Sequence, residues 1–203
     1  MNLKLYKKPF PYVVIDNFFT PEEYHKVWQE VMFLCPKMRP PDETGGAKVR
    51  GVPSKKGVGV FVESFFRDFE DSNIFIFSKK INHPEYVDKI ASSDFFYTPY
   101  RSINSSTATL VQMYRNGDYY LPHRDNSLYT AVTLIHKEPK QYNGGDLYFA
   151  ESNHVVELHN NQTIIFPSMV EHGVSEVKLL SDQFEDARFT ISQLMYITPQ
   201  TNA

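Results

Sequence analysis

The sequence has little cysteine, no long apolar run and no excess of positive charge. Cys35 is the only cysteine among 203 residues, which excludes an intrachain disulfide. No apolar stretch approaches the roughly 20 residues that a membrane-spanning helix needs, and the first residues lack the apolar core of a signal peptide. The net charge of −3 argues against general affinity for nucleic acid or an anionic membrane. We therefore expect a soluble, intracellular (cytoplasmic) protein.

The composition is that of a globular protein. Apolar residues make up 41% of the chain and aromatic residues 15%, which is enough to build a buried core. The length fits one domain. We expect a single domain over residues 1–203, with an N-terminal helical support at about 1–104 and a β-rich core at about 105–198.

The first half of the chain predicts a strand and two helices around an irregular region. The apolar run Tyr12–Ile15 predicts a strand, and Thr20-Pro21 followed by two acids is typical of a helix start. A further helix is predicted for 82–93. Residues 36–60 are rich in proline, glycine and bases, so we expect a solvated mobile loop there. The alternative is a lid that contacts an acidic or extended substrate.

From residue 107 onward, apolar and β-branched residues alternate with a period of two, which predicts strands. Asn116-Gly117 predicts a tight hairpin turn between the first two of them. The predicted strands are 107–114, 119–125, 129–136, 146–150, 154–158, 162–166, 173–178 and 188–197. A series of short strands favours a β-sandwich or jelly roll. The expected fold class is therefore mainly β with flanking helices (α+β).

The triplet His123-Arg124-Asp125 is the first candidate for chemistry. In a strand, residues two apart share a face, about 6.6 Å apart, so His123 and Asp125 can reach one metal ion. A second imidazole would complete the set of two histidines and one carboxylate that leaves three positions open on octahedral iron. A His-x-Asp triplet alone is common by chance, so the prediction of a metal site depends on the other residues of the pattern.

Two later residues extend this candidate site. His172 lies between the apolar run ending at Pro167 and another strand-like segment, and a jelly roll can return that position to the first triplet. Arg188 opens the last predicted strand and shares a face with Thr190. A buried arginine is costly unless it is paired, and a guanidinium pairs well with a carboxylate.

The strings YRNGDYYLPHRDN, NGGDLYF, EHGVSEV and RFTIS, with the opening PYVVIDNFFTPEE, resemble the prolyl 4-hydroxylase type of 2-oxoglutarate/Fe(II)-dependent oxygenases. The resemblance covers roughly residues 11–197, with 36–104 poorly matched. It implies a double-stranded β-helix (jelly roll, cupin-like) core. It also implies that His123, Asp125 and His172 bind iron and that Arg188 binds the distal carboxylate of 2-oxoglutarate.

The resemblance also assigns residues around the oxo-acid. Tyr114 matches a family tyrosine that lines the oxo-acid pocket. From the alternation of the last strand alone, Thr190 or Ser192 can add a hydroxyl donor beside Arg188. Where many members have a second tyrosine, this chain has Ile135-His136-Lys137. Thr133, which we place on the same alternating face, is expected to substitute for it in part.

The implied reaction is hydroxylation of a C–H bond, with conversion of 2-oxoglutarate and O₂ to succinate and CO₂, and with ascorbate as a reductant. The preferred substrate is a peptidyl proline in a peptide or protein partner. The enzyme is expected to be a monomer or weak dimer that binds no nucleic acid and no membrane. Leu194 stands where the nucleic-acid repair branch has a second arginine, which counts against that branch.

Two alternatives stay open. One is a hydroxylase of a free amino acid or other small molecule. The other is a non-catalytic jelly-roll protein with a structural metal, although a structural zinc site prefers four protein ligands and the sequence offers three.

Overall fold

A computed structural model describes residues 2–44, 48–49, 51–103 and 105–197. The α-helices are α1 (Pro21–Leu34), α2 (Asn73–Ser78) and α3 (Pro84–Ala91), joined by short 3₁₀ turns. The first eight strands are β1 (Asn2–Tyr6), β2 (Tyr12–Asp16), β3 (Lys48–Val49), β4 (Val52–Pro53), β5 (Lys55–Lys56), β6 (Val58–Phe61), β7 (Ser105–Tyr114) and β8 (Tyr119–His123). The others are β9 (Tyr129–Ile135), β10 (Tyr142–Gly144), β11 (Leu147–Phe149), β12 (His154–Val156), β13 (Thr163–Pro167), β14 (His172–Val174), β15 (Val177–Leu179) and β16 (Arg188–Tyr196).

Two antiparallel sheets face each other across an inner core. The larger sheet has the order β1-β2-β13-β9-β16-β7-β6, and the smaller has the order β12-β11-β14-β8-β5. Val132 and Ile164 of the larger sheet pack against Leu147 and Phe149 of the smaller one. The prediction of a mainly β jelly roll with flanking helices is confirmed.

The outer face of the larger sheet is covered by the helices. Val13, Ala131 and Ile191 point to this side and pack with Val27 and Val31 of α1. Because side chains alternate along a strand, the neighbours of these sheet residues face the other sheet. The helices therefore hold the larger sheet from behind and leave its inner face to form a cavity.

The predicted start of α1 is confirmed in detail. The Thr20 hydroxyl accepts a hydrogen bond from the Glu23 amide (3.3 Å), and the Glu23 carboxylate accepts one from the Thr20 amide (2.8 Å). This reciprocal capping satisfies two amides that the first helical turn leaves unpaired. The helix predicted at 82–93 is also present, as α3.

The hairpin predicted at Asn116-Gly117 is wrong. A turn is present, with Gly117 at φ +77°. However, β7 belongs to the larger sheet and β8 to the smaller one, so the turn carries the chain between sheets. The Gly117 amide donates to the carbonyl of Val177 (2.8 Å), which lies outside any such hairpin. The predicted strand 173–178 is likewise divided into β14 and β15.

The solvated mobile loop expected at 36–60 is wrong for much of that range. Strand β5 pairs with β8 and extends the smaller sheet, and β6 pairs with β7 at the edge of the larger one. Ser54, Lys55 and Val60 are buried. The loop expectation failed because a two-residue strand is too short to show a period. Residues 45–47 and 50 lie outside the described residues.

Candidate metal and oxo-acid site

Neighbouring strands of the smaller sheet bring the predicted metal ligands together. His123 ends β8 and His172 begins β14, and the two residues are direct cross-strand partners. Asp125 follows β8, where its amide donates to the carbonyl of Ser168 (3.1 Å). The three side chains thus converge from two segments that are distant in sequence.

The ligand atoms of these three residues all lie within 4.8 Å of one another. His123 Nε2 is 3.6 Å from Asp125 Oδ1, and His172 Nε2 is 3.4 Å from Asp125 Oδ2. Bond lengths of about 2.0–2.2 Å from nitrogen and oxygen ligands to a divalent metal suit a group of this size. One ion can therefore be shared by all three.

The backbone orients both imidazoles. Nδ1 of His123 lies 3.0 Å from the carbonyl of Leu121, and Nδ1 of His172 lies 2.9 Å from the carbonyl of Val170. A carbonyl oxygen only accepts, so Nδ1 carries the proton in each contact. In a neutral imidazole this leaves the lone pair on Nε2, which faces the shared centre.

The Asp125 carboxylate is held as an anion. Burial opposes its ionisation, but the neighbouring imidazoles of His123 and His172 and the Thr130 hydroxyl outweigh that cost and keep the pKa well below its usual range. The Thr130 hydroxyl donates to Oδ2 at 2.6 Å and also contacts the Ser168 hydroxyl at 2.8 Å. These contacts fix the orientation of the carboxylate and keep it in the form that binds a cation.

Arg188 lies at the start of β16 on the inner face of the larger sheet. Its side chain is 1% exposed, and its guanidinium carbon is 5.2 Å from the ring centroid of Tyr114. Nε and Nη1 of Arg188 find no hydrogen-bond partner among the described residues, and the same holds for the buried hydroxyl of Tyr142. A buried cation with two unused donors is costly, so this end of the cavity suits an anionic oxygen ligand.

Gly145 lies against Arg188. Its φ is +68°, and an added Cβ would lie 2.6 Å from Arg188 Cδ and 2.9 Å from Val177 Cγ2. Only glycine combines that backbone angle with such a close approach. The second glycine of the NGGD string therefore sets the position of the guanidinium.

Thr190 lies on the predicted inner face beside Arg188. Its hydroxyl donates to Gln112 Oε1 at 3.3 Å, and the Ser192 hydroxyl donates to the same oxygen at 3.2 Å. The amide nitrogen of Gln112 in turn donates to the Tyr114 hydroxyl at 3.2 Å. A chain of hydrogen bonds therefore links Thr190 with Tyr114 along the cavity wall.

The placement of Thr133 beside the oxo-acid is wrong. The Thr133 hydroxyl is buried and bonded to the Thr163 hydroxyl at 2.7 Å. Its neighbours Thr130 and Val132 line the cavity, whereas Thr133 does not. Strand β9 alternates in the opposite phase from the one we expected, so Thr133 faces the same way as Ala131, toward the helices.

The triad and the residues around Arg188 surround one cavity of about 120 Å³ between the two sheets. A cavity of this volume is large enough for a small organic acid rather than for a single water. Its lining includes both ends of the site, namely His123, Asp125, His172, Tyr114, Arg188 and Thr190.

The sequence-based prediction missed several residues of the cavity wall, among them Thr130, Gln112 and Lys55. Thr130 and Gln112 have a detectable signal, since each lies two positions from another inner residue of its strand, Val132 and Tyr114 respectively. Lys55 has no such signal, because it lies within the segment expected to be a loop.

Among the described residues, no other histidine lines this cavity. His136 contacts the carbonyl of Lys137 (2.9 Å), and His154 contacts the Tyr12 hydroxyl (3.3 Å). Over the described ranges, the triad of His123, Asp125 and His172 is the sole metal-type cluster of three or more side chains. Burial raises the pKa of the Cys35 thiol to about 11, which suits an unreactive cysteine.

Comparison with known proteins agrees with the geometry. The family model described as "2OG-Fe(II) oxygenase superfamily" matches residues 109–196, which contain the triad and Arg188. The predicted resemblance is therefore confirmed for this part of the chain, which matches the model of the 2-oxoglutarate/Fe(II) oxygenase superfamily. That family implies Fe(II) as the metal cofactor, with 2-oxoglutarate and O₂ as co-substrates. No curated protein matches the sequence.

Solved structures share the fold at low identity. A Pseudomonas putida prolyl-4-hydroxylase is 14% identical with a TM-score of 0.61, and the match covers 93% of each chain. OsALKBH1 is 18% identical with a TM-score of 0.58, covering 95% of this chain and 99% of that one. The viral collagen prolyl hydroxylase of Paramecium Bursaria Chlorella virus-1 is 15% identical with a TM-score of 0.50, covering 91% and 94%. These likenesses establish the double-stranded β-helix fold.

None of the helices in the described part of the chain is both long and apolar enough to cross a membrane.

Proposed function

We propose that this protein is an Fe(II)- and 2-oxoglutarate-dependent dioxygenase that hydroxylates a C–H bond, with a peptidyl proline as its preferred substrate. The observation that carries the proposal is one cavity that holds both a three-ligand metal cluster and a buried arginine with unused donors. A structural metal site alone would not require that second anion-binding end.

Each residue has a defined task in this proposal. His123, Asp125 and His172 hold the metal, and Thr130 orients the carboxylate of Asp125. Arg188 binds the distal carboxylate of the oxo-acid, with Tyr114 and Thr190 lining that end of the cavity. When bound, Fe(II) supplies the activation of O₂ that is needed to oxidise an unreactive C–H bond.

The closed walls of the cavity serve the same reaction. Tyr114 and Arg188 are both fully buried, so an oxo-acid at that end is shielded from water. Exclusion of water strengthens the charge-assisted hydrogen bonds of the guanidinium and protects reactive species from side reactions. The substrate then reaches the metal from the open side of the cavity.

The choice of peptidyl proline is supported by the fold shared with two prolyl hydroxylases and by the PYVVIDNFFTPEE and PHRDN strings. Hydroxylation of a free amino acid or other small molecule is the second candidate. The observation that favours it is the small volume of the cavity, about 120 Å³.

The test is incubation of the purified protein with Fe(II), ascorbate and 2-oxoglutarate, together with proline-containing peptides or free amino acids. We expect succinate to form and one oxygen atom to be added to a peptide, as measured by mass spectrometry. His172→Ala should abolish succinate formation. Equal succinate formation by the wild type and this variant would exclude the proposed oxygenase, while an oxygen added only to free amino acids would select the second candidate.

A further inference from the structure

Lys55 places a second cation in the cavity. Strand β5 pairs with β8, so that Lys55 lies opposite Tyr120 and Lys56 opposite Tyr119. The two lysines point to opposite sides of the sheet, as neighbours in a strand do. Lys55 is 4% exposed and lines the same cavity as the triad, whereas Lys56 is exposed.

The contacts of Lys55 point toward the metal side of the cavity. Its ammonium lies 5.4 Å from the ring centroid of Tyr120, and that ring stacks on the His123 imidazole with centroids 3.6 Å apart. Asp125 is close enough for its charge to favour the protonated amine, while burial lowers the pKa of Lys55 to about 8. The amine and the His123 imidazole therefore both lie against the same aromatic ring.

The fold itself does not neutralise this ammonium. No carboxylate in the part of the chain that the structure describes lies within 4.0 Å of it as an ion-pair partner. Asp125, the acid that acts on it, is already engaged by two imidazoles and by Thr130. A buried amine without a direct ion-pair partner is costly, so this part of the cavity suits a ligand with an anionic oxygen.

Charge balance indicates the sign of that ligand. With the proposed reactants in place, a divalent cation and Arg188 together balance Asp125 and the dianionic oxo-acid. The charge of Lys55 is then left over. A singly charged anion on the substrate would balance it, and a carboxylate can accept the hydrogen bonds of an ammonium in a site with little water.

We propose that Lys55 is a specificity-determining residue that binds a carboxylate of the substrate, and this inference rests on the oxygenase function proposed above. The carboxylate has two sources, an acidic residue beside the reacting residue of a peptide or the free carboxylate of an amino acid. In both cases the substrate carries a carboxylate, and its amide counterpart is a poor substrate.

The test measures binding without turnover. The protein is loaded with Mn(II) and the inert oxo-acid analogue N-oxalylglycine, and two pairs of probes are titrated by calorimetry. One pair is acetyl-Asp-Pro-amide and acetyl-Asn-Pro-amide, and the other is L-proline and L-prolinamide. We expect the carboxylate-bearing member of one pair to bind about 10- to 100-fold more tightly than its amide partner, as a charge-assisted hydrogen bond implies. The pair that responds identifies the source of the carboxylate.

Three variants test whether the carboxylate preference comes from the charge of Lys55. Lys55→Met keeps the length of the side chain and should abolish the preference, whereas Lys55→Arg keeps the charge and should retain most of it. Lys56→Met is the matched control, because Lys56 lies on the same strand and bonds outside the cavity to the Gly117 carbonyl (3.2 Å). It should leave the preference unchanged.

Three results would overturn the inference. One is equal or undetectable binding of both members of each pair by the wild type, and another is a preference that survives in Lys55→Met. The third is a Lys55→Met protein that binds 2-oxoglutarate at least 10-fold more weakly, since Lys55 would then hold the oxo-acid. Failure of the oxygenase proposal is visible separately, as absence of succinate formation by the wild type.

Discussion

Gly145→Ala should weaken the binding of 2-oxoglutarate without touching any metal ligand. The added methyl group would lie 2.6 Å from Arg188 Cδ and 3.2 Å from Arg188 Nε, so the guanidinium has to shift. An alanine at φ +68° costs about 1–2 kcal/mol, and overpacking of a tight contact adds about 1–3 kcal/mol. We therefore expect the free energy of unfolding to fall by about 2–5 kcal/mol.

The functional effect follows from the displaced guanidinium. Charge-assisted hydrogen bonds to a carboxylate contribute about 1.5–3 kcal/mol, so their disturbance should raise the Kd of 2-oxoglutarate about 10- to 100-fold. The Kd is measured by calorimetry on the Mn(II)-loaded protein. Binding of Mn(II) itself should change little, because the triad lies on the opposite sheet.

Gly117→Ala is the matched control. Gly117 has a similar φ of +77°, but an added Cβ would meet only the flexible end of Lys56, at 3.3 Å. This variant should carry the backbone cost of about 1–2 kcal/mol and leave the Kd of 2-oxoglutarate unchanged. If both variants bind 2-oxoglutarate like the wild type, Gly145 does not position Arg188 and the reasoning is refuted.

Two further predictions concern buried charges. Glu30→Gln should lower the free energy of unfolding in urea by about 2–3 kcal/mol, since the carboxylate accepts hydrogen bonds from the Ser72 hydroxyl (2.5 Å) and the Asn73 amide (2.6 Å) at the start of α2. A loss below about 0.5 kcal/mol would mean that the Glu30 contact does not hold α2 to α1. The second of these predictions is that Lys55→Met should stabilise the metal-free protein by up to about 3 kcal/mol at pH 7. The pKa of Lys55 is lowered on folding to about 8, so the unfolded chain binds the extra proton between about pH 8 and 10.5 and wild-type stability rises there. The difference in the free energy of unfolding between Lys55→Met and the wild type should therefore shrink over that range. A difference that does not depend on pH would contradict the prediction.

Much of the fold could be predicted from the sequence because the signals were local. The capping residues Thr20 and Glu23 determine the start of α1, and the period-two pattern locates β7, β9 and β16 within a few residues. The pattern does not say which strands pair. After the turn at Gly117, β8 can return beside β7 or join the other sheet. Packing between the sheets decides which of the two happens.

For the candidate site as well, local patterns could be predicted and long-range contacts could not. The spacing of His123 and Asp125, with the family resemblance, led to four side chains that the fold brings to one cavity. Thr133 was misplaced because a strand buried on both faces, as β9 is, has no polar face to reveal its phase. Lys55 was missed because its inward orientation comes from pairing with Tyr120, a contact across a large sequence separation.

Metal binding by the triad is the central claim, and calorimetric titration of the metal-free protein with Mn(II) or anaerobic Fe(II) tests it most directly. We expect one ion per chain, with affinity reduced at least about 100-fold in His123→Ala, Asp125→Ala and His172→Ala. The control His154→Ala, which removes a histidine bonded to Tyr12, should bind the ion like the wild type. Unchanged affinity in the three triad variants, or an equal loss in His154→Ala, would contradict the shared metal site.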